Sequence, residues 1–405
     1  MDLRQKDWKK DFPIGRSADY QSNTQLKLSV KHINSFMENE NNIIYSDVLR
    51  DWLDRGVPIF ILDVRPMSQR EEWQIPGSHY LDAYKRLNEG DYSVMDEIEI
   101  PENRKVVTVC AAGRTSQIAA DILRKKGIDA SSLYGGMKAW NTAWNTAQKK
   151  FDDFEVLQIR RTGKGCLSYI VSSNNEAVII DASLPLEVYL QRAKQYNLSV
   201  RYVIETHIHA DHLSRSNEIA KYFNAPLFLP VPNNVKFPFN MIVPETAFPI
   251  GNITLQTIPS PGHTLESVSF YIAGRLVFTG DTLFTNGVGR PDLKADEQES
   301  RKKAATLYHS LKKLLLLPDE VIILPAHTNK PVEFDRLMIY STIGDAKGNI
   351  PMLQKDESIF TDFLLQNIPQ PPANYLSIAE KNLTGEFSES DSGDLEVGAN
   401  RCAIS

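Results

Sequence analysis

Thr206-His207-Ile208-His209-Ala210-Asp211-His212 crowds four side chains of metal-ligand type into one short segment. The apolar run 200–204 precedes it, so all four fall in a single turn at the end of a strand. Imidazole and carboxylate gathered this closely suit a cation, and would be costly to bury without one. Three more candidates stand in similar settings: His263 in Ser260-Pro261-Gly262-His263-Thr264, Asp281 in Phe278-Thr279-Gly280-Asp281-Thr282, and His327 in Leu324-Pro325-Ala326-His327. Each follows an apolar run, which lets all of them converge on one edge of a sandwich of strands. A satisfied core histidine accounts for any one of these, best for His327, far better than it accounts for the set.

A second constellation is Cys110-Ala111-Ala112-Gly113-Arg114-Thr115-Ser116, between the apolar run 106–109 and a helix. Such a loop aims successive backbone N–H groups at one spot, and the helix N-terminus adds positive potential. A thiolate or persulfide anion is stabilised there and becomes a usable nucleophile. Gly113 allows the tight turn, Arg114 is a donor for an anion such as thiosulfate, and Gly113 and Ser116 are the loop's substrate-binding candidates. The bland alternative is a buried cysteine in an inert module. For Cys166 packing is the better reading, and packing is also the bland reading of Cys402.

The elements that must position these groups follow from the pattern. Ser46 is placed to cap a short helix whose Val48, Leu49, Trp52 and Leu53 share a face, ended by Gly56. Apolar runs at 59–64 and 106–109 alternate with helices (Ile118, Ile122 and Leu123, closed by Gly127), which implies a small parallel sheet covered on both faces. The polar stretch 146–153 reads as a boundary. Beyond it come closely spaced strands at 154–159, 168–171, 177–180, 200–204, 253–258, 268–272, 276–278 and 321–324, with helices at 185–196, 216–223 and 299–316. The expected division is an irregular arm (1–40), a first domain (41–150), a second domain (151–345) and an extension (346–405) packing back on the second through islands such as Phe360, Phe363 and Leu364.

At 405 residues, 42% hydrophobic and 24% charged, the chain is ordinary globular material for two cores. A net charge of −6 argues against nucleic acid or an anionic membrane as the main partner. The first residues carry charges where a secretory leader has an apolar core, and no run reaches the length of a membrane span. Three cysteines cannot pair without a remainder, so a reducing cytoplasm is the expected setting.

Residues 41–148 resemble the rhodanese family through Asp63-Val64-Arg65, Ile75-Pro76-Gly77-Ser78-His79, the Cys110–Ser116 loop and Tyr134-Gly135-Gly136-Met137-Lys138-Ala139-Trp140. That resemblance implies that Cys110 carries a transferable sulfane sulfur. Residues 154–330 resemble the metallo-β-lactamase superfamily. Together they imply two domains: an α/β rhodanese domain, with a parallel sheet and flanking helices, and an αββα metallo-β-lactamase sandwich.

Within the superfamily two chemistries compete. A hydrolase similar to glyoxalase II implies two zinc ions per chain held by all seven side chains, acting on a thioester. Resemblance to persulfide dioxygenases instead implies one Fe(II) per chain on His207, His263 and Asp281, leaving His209, Asp211, His212 and His327 around it or at a vacated second metal position. Asn286-Gly287-Val288-Gly289-Arg290-Pro291-Asp292 resembles that family's segment for an anionic thiol, which gives Arg290 a substrate-binding role. Gly165-Cys166-Leu167-Ser168-Tyr169, Leu307-Tyr308-His309-Ser310 and Ala399-Asn400-Arg401-Cys402 also match, and the last of these implies that Cys402 can return toward the metal pocket. Thr328-Asn329-Lys330 departs from it, where the family has an Asp-Tyr pair. The fusion favours the dioxygenase: its implied partners are a low-molecular-weight persulfide such as glutathione persulfide, O2, and thiosulfate or sulfite, which a sulfur carrier also handles. Dimers are common in both families, so a homodimer is an expected state. A scaffold with an inert rhodanese and a structural metal is the non-enzymatic alternative.

Overall fold

In the computed structural model, which describes residues 42–404 apart from 232, 233, 373 and 399, the first apolar runs form the centre of a five-stranded sheet. The arm expected over 1–40 lies outside the described residues. Ile59–Asp63 and Lys105–Val109 pair at the middle, with His79–Tyr80 on one side and Ala130–Leu133 and Ile43–Ile44 on the other, every pairing parallel. Side chains alternate across the sheet. Phe60, Leu62 and Val106 pack under Leu87, Ala119, Ala120 and Leu123 on one face, whereas Ile61, Val107 and Val109 meet Leu49, Ile75 and Trp140 on the other. Ser46, expected as a cap, is the first helical residue of Ser46–Asp54. The pairing of Ile43–Ile44 keeps the chain extended through Tyr45, which takes the cap position without a side-chain bond.

The polar stretch 146–153 is mostly strand rather than linker. Asn145–Lys150 pairs antiparallel with Glu155–Arg160 at the edge of a seven-stranded sheet. An edge strand has one unpaired side and keeps polar residues there, so it reads like a connector. The sheet continues through Leu167–Ser173, Glu176–Ile180, Ser199–Ile204, Leu227–Leu229 and Asn240–Met241. A six-stranded sheet faces it, in the order Ala247–Ile250, Ile253–Pro259, Val268–Ile272, Leu276–Gly280, Ile322–Pro325 and Ser341–Thr342. Val156, Tyr169, Val178 and Ile180 from the first meet Phe248, Leu255, Phe270 and Phe278 from the second in one core. Helices Leu186–Gln195 and Ser216–Phe223 cover one outer face. Glu297–Leu314 and Glu357–Gln366 cover the other, where Phe360 and Leu364 are buried beside Leu307 and Leu311. Among the described residues no helix is long and apolar enough to cross a membrane.

Candidate metal centre

Every expected ligand stands just past a strand end, and the sandwich brings these ends to one rim. The 207–212 segment follows Ser199–Ile204, His263 follows Ile253–Pro259, Asp281 follows Leu276–Gly280 and His327 follows Ile322–Pro325. Ligand atoms of His207, His263 and Asp281 lie within 4.8 Å of one another. The Nε2 atoms of His207 and His263 are 3.7 and 3.6 Å from Asp281 Oδ2, too far for hydrogen bonds. His207 Nε2 and Asp281 Oδ2 are buried without any hydrogen-bond partner. Such orphaned atoms at this spacing fit three ligands, each about 2.1 Å from a shared cation.

The other ring nitrogens fix the tautomers. His263 Nδ1 donates to the Arg290 carbonyl at 2.8 Å. Thr206 gives its hydroxyl proton to Asp181 Oδ2 at 2.9 Å, leaving its oxygen to accept from His207 Nδ1 at 2.9 Å. Both Nε2 lone pairs therefore face the triad. Burial, with His209 nearby, holds His207 well below the usual histidine range and so neutral; burial lowers His263 too. Burial opposes charge on Asp281, but His327, His207 and His263 outweigh it and keep the carboxylate ionised.

His209 stands outside this triad. Its Nε2 lies 3.3 Å from both Asp181 Oδ1 and Glu205 Oε2, while its Nδ1 is buried without a partner. Asp211, His212 and His327 form a second group, and Cys166 belongs to it. Cys166, read as packing, is buried there with its Sγ 3.5 Å from Asp211 Oδ2. Cys402 lies within the same 4.8 Å limit of Asp281 and His327.

In the first domain Cys110 is 2% exposed. Its Sγ accepts from Gly113 N–H at 3.1 Å and from the Ser116 hydroxyl at 3.3 Å. Gly113 has φ +90°, and a Cβ there would lie 2.9 Å from Gly135 N. Ser116, expected to meet substrate, is fully buried with its hydroxyl against the sulfur. Arg114 is exposed at the first residue of helix Arg114–Lys125.

Arg290 departs further from expectation. It is fully buried, and its guanidinium donates to Asp292, Pro369 O, Gln370 O and Arg401 O. All five N–H groups are used, leaving none for an anionic substrate. Sequence reading also missed the clamp from the C-terminal extension. Asn382 Nδ2 donates to the carbonyls of His209 and His212, Glu396 accepts from Leu213 N–H and Arg161, and Asn400 donates to Asp211 Oδ2. Nothing local marks these three, whereas Asp181 ends an apolar run just as the ligands do.

This fold and this rim define the class. The Metallo-beta-lactamase superfamily profile matches residues 161–327, and the Rhodanese-like domain profile matches 46–143. The chain belongs to the metallo-beta-lactamase superfamily, with a rhodanese-like domain ahead of the metal-binding fold. In particular it is similar to the hydroxyacylglutathione hydrolase of Nitrosomonas eutropha, 31% identical over 230 residues, which cover 55% of this chain and 81% of the relative. A hydroxyacylglutathione hydrolase of Tolumonas auensis is 30% identical over 39% of this chain, and the match spans only 60% of the relative's length. Among solved structures, a metallo-beta-lactamase from Staphylococcus aureus subsp. aureus COL superposes with a TM-score of 0.53 and 26% identity, covering 58% of this chain and 74% of that one.

Proposed function

We propose that this chain oxidises a low-molecular-weight thiol persulfide with O2 at a single non-haem iron, and that Cys110 carries sulfane sulfur between thiosulfate, sulfite and thiols. The observation that carries the reading is the compact set of two imidazoles and one carboxylate, with His209 outside it. Fe(II) held by His207, His263 and Asp281 would supply O2 activation, since such a triad leaves coordination positions open. Persulfide, O2 and water give thiol and sulfite: the S–S bond breaks, the terminal sulfur loses four electrons, and O2 accepts them. The chain's own residues orient the site. Thr206 and the Arg290 carbonyl aim the two imidazoles, and His327 Nδ1 holds Asp281 Oδ1 at 2.5 Å. At Cys110 the thiolate attacks the outer sulfur of thiosulfate; sulfite leaves with the bonding pair, and the cysteine persulfide remains near the Gly113 N–H and Ser116 hydroxyl. Glutathione, coenzyme A and bacillithiol persulfides are the candidate substrates, in a cytoplasmic setting.

A second reading, thioester hydrolysis on two zinc ions, draws support from the unpartnered Nδ1 of His209 and from relatives named hydroxyacylglutathione hydrolase. Anaerobic purification with iron quantification, followed by O2 uptake on a panel of persulfides and hydrolysis of thioesters, separates the two. Iron with persulfide-dependent O2 uptake is expected. Brisk thioester hydrolysis with no uptake on any persulfide would reverse the choice.

A further inference from the structure

Asn141 is 2% exposed, and neither polar atom of its side-chain amide has a hydrogen-bond partner among the described residues. A buried amide left unmet is costly, so a polar group from outside the chain completes it. Asn141 lines a cleft of about 230 Å³ to which both domains contribute. Trp73 and Met137 come from the rhodanese-like half, Gly163 from the sandwich, and Val397 and Gly398 from the C-terminal extension. Gly163 lets the sandwich come this close: a Cβ there would overlap the Trp140 carbonyl and lie 2.7 Å from Asn141 Cα. The cleft adjoins the cysteine loop through Ala111, the residue after Cys110. Helix Gly136–Trp140 is fastened to that loop, with Met137 N–H donating to Cys110 O at 2.9 Å and Lys138 N–H to Ala111 O at 3.0 Å.

We propose that this two-domain cleft binds the thiol that accepts sulfur from Cys110, a zwitterionic thiol of amino-acid size, with Asn141 as its anchor. The inference rests on the reading of Cys110 as a sulfur carrier. An amide with both functions open matches a carboxylate and an ammonium on one carbon: Nδ2 donates to the first and Oδ1 accepts from the second. Glu72 and Lys138 also line the cleft, exposed and paired with Arg401 and Asp394 of the extension. That balance of signs favours a zwitterion over a net anion. The volume lies below the roughly 300–1,000 Å³ of sites for larger ligands, which excludes a carrier as bulky as coenzyme A. In the transfer, the acceptor thiolate attacks the outer sulfur of the Cys110 persulfide. The S–S bond breaks, its electron pair leaves with the Cys110 thiolate, and the acceptor departs as its own persulfide. That product belongs to the class of substrate proposed for the metal triad.

The test uses the full chain and two readouts: calorimetric binding of S-methylcysteine, which cannot accept sulfur, and steady-state transfer from thiosulfate to cysteine. S-methylcysteine should bind wild type, and Asn141→Ala should weaken that binding about tenfold. Val397→Trp, at an exposed wall of the cleft, should weaken it as well and guards against misfolding of the Asn141 variant. In both variants the KM for cysteine should rise by a larger factor than the KM for thiosulfate. No binding to wild type, equal binding to the variants, or an equal change in both KM values would overturn the proposal. Asn141-dependent binding in a wild type that transfers no sulfur would strike the carrier reading and uphold the cleft as a ligand site.

Discussion

At the scale of single residues, Arg290 shows how a motif position can serve a site through its backbone carbonyl. Its carbonyl orients His263 while its guanidinium gathers Asp292 and three carbonyls of the C-terminal half. Arg290→Ala leaves those buried acceptors unmet, so stability should fall by about 3–5 kcal/mol in chemical denaturation. Metal affinity of the triad should drop on the order of 10- to 100-fold, as for other groups that orient ligands. A variant of unchanged stability and metal content but raised KM would return Arg290 to substrate binding. Cys110 poses a separate question, since its sulfur is held by Gly113 and Ser116 in the other domain. Cys110→Ser should abolish sulfur transfer from thiosulfate while sparing O2 uptake. Loss of both in a folded variant would break the proposed division of labour.

At the scale of elements, the extension beyond residue 345 is a clamp on the metal loop. The carboxylate of Glu396 is the anchor, bonded to Arg161, Ser392 and the Leu213 N–H. Burial opposes its charge, but Arg161 outweighs burial and holds it below the usual carboxylate range. A carboxyl depressed in the folded state contributes stability in full above its unfolded value and loses it as pH falls through the folded value. Glu396→Gln strands the buried Arg161 and should cost about 3–5 kcal/mol at pH 7. The gap between variant and wild type should close as pH drops below the carboxylate range, where wild type is itself protonated. A gap independent of pH in denaturant titrations would show that Glu396 acts through packing alone. Asn382→Ala, which frees the carbonyls of His209 and His212, should cost about 1–3 kcal/mol by the same measurement.

At the scale of the whole molecule, Trp73 joins the rhodanese-like half to the sandwich. It is 4% exposed, its indole N–H donates to Thr162 O at 2.9 Å, and Arg65 fixes its carbonyl at 2.7 Å. Gly163 N–H to Ala143 O, and the ion pairs Arg401–Glu72 and Lys138–Asp394, cross the same seam. Emptying that contact with Trp73→Ala removes about 3–5 kcal/mol of packing. Calorimetry should then resolve two thermal transitions where wild type shows one; a single transition in the variant would place the coupling elsewhere.

Sequence alone singled out the candidate ligands and the cysteine loop. Each of these groups sits within a few residues of an apolar run, so the strand that positions it is legible beside it. Gly113 and the segments around His207 and Cys110 are local signals of that kind. Sequence did not reveal the edge strand Asn145–Lys150, whose polarity belongs to its place in the sheet. Only the tertiary structure decided that Cys166 stands against His327, that Arg290 turns inward, and that Glu396 reaches Arg161 from 235 residues away. Those contacts depend on which strand ends meet at the rim and where the tail lies across them. No short-range pattern encodes that, because the partners become neighbours only when the two sheets close on their common core.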